Sequence, residues 1–296
     1  MKKIINYVGL GILAAASSLA LASCGGDSNA EKLVDCTVDV SNINFCQKGK
    51  LTVGMSTDFA PMEFIDSTKS GQDQFVGADI TFAKALAQSF GLELEIKAMN
   101  FDLILPSVDA GTIDVAISGF SYTADRAASA TPTKCYWSEG DGGQVVIVKK
   151  SDLSKYQTLE SLNNSTTKIG AQTGSLQVTL VQTYIPNATL NKITNIDDAI
   201  TALKAGSLDG LACAKSVADQ KVILDDSLAI VPEAFDAEEY EGNFAWVKLG
   251  NTALKNAIDT VIDKITQDNL FAGWVDAAKA LQLNLGDKAE ELVPEE

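Results

Sequence analysis

The stretch Ser118-Gly119-Phe120-Ser121-Tyr122-Thr123-Ala124-Asp125-Arg126 ends on the only arginine in the chain; the other 22 basic residues are lysines. Lysine is a mobile point charge, whereas arginine is a planar fork of fixed donors that grips a carboxylate through two parallel hydrogen bonds. A single arginine in a chain that otherwise uses lysine therefore suggests a carboxylate clamp, set against the plainer reading of a surface side chain. The chain has no histidine. That removes the base that activates serine or cysteine nucleophiles and the commonest ligand of zinc and copper. No cofactor or metal site is expected. The formal charge of −16 argues against nucleic acid, which demands a basic surface.

The first residues must be set aside before any fold is considered. Lys2 and Lys3 precede an apolar run from Ile4 to Leu21, which ends in Leu21-Ala22-Ser23-Cys24-Gly25-Gly26. Small residues directly before a cysteine resemble a bacterial lipobox, which implies cleavage after residue 23, lipidation of Cys24 and an anchor at the outer face of the cytoplasmic membrane. The alternative is an uncleaved membrane helix, since the run is nearly long enough to span. Cleavage would leave 273 residues with a charge of −18. Cys36 and Cys46 lie close together on an exported chain and are expected to form a disulfide. Cys135 and Cys213 are far apart and read as buried free thiols.

The arginine must be positioned by the elements around it. "LTVGM" (51–55), "LELEIKAM" (92–99) and "DVAISG" (114–119) read as strands, and "DITFAKALAQSFG" (79–91) and "ILPSVDAG" (104–111) as helices between them. A second unit follows, with strands at 142–150, 167–172 and 208–214 and helices at 176–184 and 197–206. Segment 253–282 is helical, and the acidic end is a tail. Alternating strands and helices predict mostly parallel sheets flanked by helices. The echo of Ala-Gly-Thr-Ile-Asp-Val-Ala (110–116) in Ala-Gly-Ser-Leu-Asp-Gly-Leu (205–211) implies two similar lobes. Arg126 and the turn at 173–176 both follow predicted strands, where open α/β sheets bind ligands.

"LTVGMSTDFAPMEF" and "FVGADITFAKALAQSFGLELEIKAMNFDLILPSVDAGTIDVAISGFSYTADR" resemble the bacterial extracellular solute-binding proteins of family 3, the amino-acid-capturing subunits of ABC importers. The similarity runs from about Gly49 to Leu281. It implies a two-lobed, type II periplasmic-binding-protein α/β fold with the ligand cleft between lobes, and ABC permease and ATPase subunits as partners. Its expected organisation is a leader (1–23), a tether and N-terminal segment (24–47), a first lobe (48–140 with 244–285), a second lobe (141–243) and a tail (286–296). The resemblance gives Arg126 the ligand's carboxylate, with Gly119 and Ser121 adding hydrogen bonds. It makes Phe59 and Phe101 aromatic walls, has Ser175 and the Leu176 N–H complete the carboxylate cage, and has Gln172 touch the ligand's side chain.

Two departures from the family pattern carry weight. The acid that pairs with the ligand's α-ammonium in most members falls at Ala214 here, and Lys215 follows it. The segment "YWSEGDGGQ" (136–144) is longer than usual: its plainer reading is a solvated hinge loop, and the other is that Glu139 or Asp141 supplies the missing acid. The same departures keep two other readings open. One is a cyclohexadienyl or arogenate dehydratase-like enzyme, whose acid would be Glu63, Glu139 or Asp141. The other is an orphan ligand-sensing lipoprotein.

Overall fold

The computed structural model describes residues 32–138 and 143–291, with side chains to residue 286. The leader, Cys24, Glu139, Asp141 and residues 292–296 lie outside the described residues. The first sheet uses strands β1 (Lys50–Met55), β5 (Glu93–Ala98), β6 (Val115–Ala116), β7 (Ala130–Trp137) and β13 (Asn243–Lys248). A small sheet, β2 (Asp58–Phe59), β3 (Glu63–Ile65) and β4 (Phe75–Val76), sits beside it. The second large sheet uses β8 (Gln144–Lys149), β9 (Lys168–Gln172), β10 (Thr189–Ile193), β11 (Gly210–Ala214) and β12 (Leu228–Ile230).

The large sheets run in the orders β5-β1-β6-β13-β7 and β10-β9-β11-β8-β12. In the first, β1 pairs in parallel with β5 and β6, and β13 runs antiparallel to both its neighbours. The second repeats this arrangement, with β8 as its reversed strand. Both sheets are therefore mostly parallel, as expected. The reversed strands β8 and β13 adjoin the two segments that cross between sheets, 138–143 and 231–242.

Helices cover both faces of each sheet, so the central strands are apolar on both sides. Leu51, Val53 and Met55 point toward α1 (Ala78–Phe90), and every one of these β1 residues is fully buried. On the other face Gly54 lets Ile104 of α2 (Phe101–Asp109) and Ile113 approach; a Cβ there would stand 2.5 Å from Ile113 Cδ1. Next come α3 (Ala124–Ser129) and the short α4 (Leu159–Leu162). In the second lobe Val146 and Val148 pack with α5 (Leu176–Tyr184), and Val145 and Ile147 with α6 (Ile196–Lys204) and α7 (Lys215–Leu224). α8 (Thr252–Gln267) returns to the first lobe, packing Leu254, Ile258, Val261 and Ile262 into its core.

Three expectations need correction. Segment 253–282 is helical as expected, in two helices that part at Asp268–Asn269, where Asn269 takes φ 50, but α9 (Leu270–Glu291) runs on into the segment expected to be a tail. Asparagine tolerates that left-handed conformation, so a continuous apolar pattern hid the break. Cys36 and Cys46 are free thiols, not a disulfide. Cys36 packs on the core of the first lobe, whereas Cys46 donates its backbone N–H to Asp114 Oδ1 (2.7 Å). Partial loss of water and the neighbouring Asp114 push the Cys46 thiol up to about 11. Cys213 is buried, with its thiol pushed up to about 12, but Cys135 is exposed and donates its S–H to the Trp137 carbonyl (3.1 Å).

Candidate functional site

The parallel strands of both sheets end at one cavity. β1 leads to Phe59, β5 to Phe101, β6 to Ser118, Gly119 and Ser121, β9 to Gln172 and Ser175, and β11 to Ala214 and Lys215. All eight residues singled out in the sequence, Phe59, Phe101, Gly119, Ser121, Arg126, Gln172, Ser175 and Leu176, line this cavity. Gly119 takes φ 57, and a Cβ there would stand 2.6 Å from Cε1 of Phe59. The loop can adopt this shape and meet the Phe59 ring only because that position has no side chain.

Arg126 lies in the short α3, which the Thr123 hydroxyl caps by accepting the Arg126 backbone N–H (3.2 Å). Its guanidinium donates to the Ser121 carbonyl (2.8 Å) and, from the other lobe, to the Gly174 carbonyl (3.1 Å). Two rings flank it: Phe101 at 5.7 Å and Phe120 at 5.0 Å from the guanidinium carbon, stacked on each other with centroids 4.4 Å apart. Such an aromatic platform holds a cation without neutralising it. Among the described residues Arg126 has no ion pair, and loss of water lowers its pKa to about 10. Opposite it, Ser175 precedes α5, and its Oγ is buried without a hydrogen-bond partner. Phe120 was not singled out in the sequence, although it stands inside the quoted loop.

A second contact joins the lobes. Asp58, 4% exposed, accepts the Ser56 hydroxyl (2.6 Å) with Oδ1. Its Oδ2 accepts the Ile196 N–H at the start of α6 (2.7 Å) and the Gln172 amide (3.1 Å), both from the second lobe. Asn195 caps the next two N–H groups of α6, those of Asp197 and Asp198. A carboxylate at a helix N-terminus is doubly favoured, by the hydrogen bond and by the macrodipole. Gln172 lines the cavity, but its amide N–H groups point to Asp58 and the Thr194 carbonyl. Gln172 thus joins the two lobes as well as lining the cavity. Phe59 spans the same junction, packing against cores of both lobes.

Charge elsewhere in the cavity is sparse. Ala214 lies on the wall, and Lys215 beside it is paired with Asp219 (2.6 Å). Glu241, on the segment crossing back to the first lobe, is the one carboxylate lining the cavity among the described residues. It is exposed, accepts the Ser138 hydroxyl, and has no lysine or arginine partner among the described residues. Glu63 does not line the cavity: it is fully buried behind Ser118, whose hydroxyl it accepts.

Residues 51–277 match the bacterial extracellular solute-binding proteins, family 3, and the chain belongs to that family. It is 27% identical over 241 residues to the arginine-binding extracellular protein ArtP of Bacillus subtilis, covering 80% of this chain and 84% of that one. It is 28% identical over 244 residues to the glutamine-binding protein of Geobacillus stearothermophilus, covering 79% and 90%. Among solved structures, the amino acid ABC transporter substrate-binding protein AbpA of Streptococcus pneumoniae, bound to L-arginine, superposes with a TM-score of 0.73. It shares 34% identity, over 79% of this chain and 96% of that one.

The Asp58 contact makes a direct prediction. Asp58→Ala removes the acceptor for the Ile196 N–H and the Gln172 amide. It should shift the lobes toward an open form by about 10- to 100-fold, the worth of one charge-assisted hydrogen bond at roughly 1.5–3 kcal/mol. Small-angle scattering should then report a larger radius of gyration than for the parent; an unchanged value would mean that other contacts hold the lobes together.

Proposed function

We propose that this chain is the capture subunit of an ABC importer for an α-amino acid, binding it between lobes that close around it. The carrying observation is the Arg126 guanidinium, desolvated on an aromatic platform with no acid beside it. A cation in that state gains most from a ligand carboxylate, which restores both the charge balance and the two-pronged geometry. Ser175 Oγ, buried and unpartnered across the cleft, supplies a further donor to the same group, and Ser121, Gly119 and the Leu176 N–H at the start of α5 border it. Phe59 and Phe101 wall the apolar part of the ligand. The relatives named above bind arginine or glutamine, and the family's place outside the cytoplasm suits capture for import.

Glu241 takes the part that an acid at Ala214 plays in other members: it meets the ligand's α-ammonium. It has no lysine or arginine partner among the described residues and lines the same cavity as Arg126, while the Lys215 there is already paired with Asp219, so the cleft offers a zwitterion one free acid and one free cation. Cys24 is the lipid attachment site, which holds the protein at the outer face of the membrane. Of the acids weighed for the dehydratase reading, Glu63 is buried behind the cavity wall and Glu139 and Asp141 lie outside the described residues, while the relatives named above are solute-binding proteins.

Three outcomes test this reading. By calorimetry with L-arginine and L-glutamine, Arg126→Lys should fail almost as badly as Arg126→Ala. Lysine restores the charge without the fork, so the loss is on the order of 2–4 kcal/mol, or about 30- to 1000-fold in affinity. Parental affinity in Arg126→Lys would remove the clamp. Glu241→Gln should weaken L-arginine by roughly five- to thirtyfold, as befits a part-exposed ion pair in a cleft. The same change should leave 5-guanidinopentanoate, which lacks the α-amino group, within about twofold; equal losses on both compounds would assign Glu241 elsewhere. Cys24→Ser should release the protein from the membrane fraction or leave it unprocessed, and normal processing with full retention would refute the anchor.

A further inference from the structure

Behind the loop that carries Gly119 and Ser121, two carboxyl groups lie in the core of the first lobe. Glu63 on β3 and Asp79 on α1 are both 0% exposed. Each holds one end of the loop: Glu63 Oε1 accepts the Ser118 hydroxyl, and Asp79 Oδ2 accepts the Gly119 N–H (3.0 Å). Tyr136 on β7 donates its hydroxyl to the same Asp79 oxygen (2.9 Å). The remaining oxygens, Glu63 Oε2 and Asp79 Oδ1, are buried with no donor. The two side chains interact directly with each other, and Asp58 on β2, also acidic, adds to the negative field at Glu63. Among the described residues no lysine or arginine pairs with either acid.

Two ionised carboxylates in that setting would repel each other in a dry interior with no cation to separate them. One proton between them removes the repulsion and supplies the donor that both open oxygens lack. We propose that Glu63 and Asp79 share a single proton and act together as positioning residues for the Ser118–Ser121 loop, whose grip on a ligand carboxylate weakens when that proton is lost. The second half of the proposal rests on the amino-acid reading above; the first half does not. Burial and the neighbouring acids agree with the geometry, holding Glu63 well above the usual carboxylate range and Asp79 up at about 6.

The sign follows from linkage. Unfolded, both acids ionise near pH 4, whereas the folded pair keeps a proton at higher pH. The folded state then binds more protons, so the pair's contribution to stability falls as pH climbs from about 4 through its own titration, and is level beyond it. Below about pH 4 both states are protonated, so the contribution is fully present and no longer varies with pH. Binding adds a third negative charge close to the loop, so ligand binding draws a proton onto the pair and affinity falls toward alkaline pH.

The test compares the parent with Glu63→Gln, in which an amide N–H permanently replaces the shared proton. In the ligand-free protein the Gly119 amide resonance should move with pH between 5 and 9 in the parent and stay fixed in Glu63→Gln. Calorimetry with L-arginine and L-glutamine in buffers of different ionisation enthalpy should show proton uptake by the parent above pH 7 and none by the variant. Affinity should fall several-fold between pH 6 and 8.5 in the parent only. A Gly119 resonance that titrates in both proteins or in neither overturns the shared proton, and parallel affinity profiles overturn the coupling to ligand. If the parent binds neither amino acid, the ligand half falls with the amino-acid reading, while the Gly119 titration still decides the pair. Should Glu63→Gln fail to fold, Asp79→Asn makes the same replacement from the other side, with the same two outcomes.

Discussion

Arg126 is half-buried with no ion-pair partner among the described residues, and what replaces much of its water is two carbonyl oxygens and two ring faces. Carbonyls and rings orient a guanidinium, but they leave its charge in place. The rest of the cleft follows from holding that charge in position. Phe101 can stack with Phe120 because α2 begins at residue 101, directly after β5. The Gly174 carbonyl reaches Arg126 because the turn after β9 brings it against Asp102 at the start of α2, with only 3.2 Å between a Cβ at Gly174 and the Asp102 Cα. The arginine is therefore fixed by both lobes, and its environment is complete only when they meet.

That dependence links binding to motion. A ligand can drive closure only through interactions that differ between open and closed forms. The contacts that cross the junction here are of that kind: the guanidinium to Gly174, Asp58 to the start of α6, and Phe59 between two cores. Asp58 gives up its hydration to cap a helix in the other lobe, which balances its burial without any lysine. Closure thus has a polar latch and an apolar wedge, both supplied by the few residues after β1.

The sequence made some of this legible and hid the rest for physical reasons. Arg126 stands out because composition and the strand-loop pattern isolate it, Gly119 because the family resemblance marks it, and long elements such as α1 and β5 show their period plainly. The small sheet of β2, β3 and β4 has strands of two or three residues, too short to display any period, so Asp58 was passed over as a loop residue. Asp79 reads as an ordinary charge and Glu63 only as a candidate cleft acid, because nothing in a sequence marks an acid that lies 0% exposed beneath a loop. The spacing of Cys36 and Cys46 suggested a bridge, but the Asp114 carboxylate fixes the backbone at Cys46 while the core claims Cys36. Gln172 lies in the cavity as expected, but its contact across the junction was not legible, since its partners come from residues 58 and 194, far away in sequence.

The placement of acids in the first lobe gains its meaning from the lone cation. Asp58, Glu63 and Asp79 gather within one side of the cleft wall, and all three are buried. Fully ionised, they would present three negative charges to a site that must accept a carboxylate, at the low dielectric where such charges act most strongly. Each is blunted in a different way. Asp58 is compensated by the positive end of α6 in the other lobe. Glu63 and Asp79 have only hydroxyl and amide donors, and two of their oxygens have no donor at all. A retained proton is the remaining way to lower that charge while keeping the acceptors that hold Ser118 and Gly119 in place. Neutral residues there would abolish the repulsion but release the loop, and fully charged ones would hold the loop while opposing the ligand, so a protonated acid pair satisfies both demands at once.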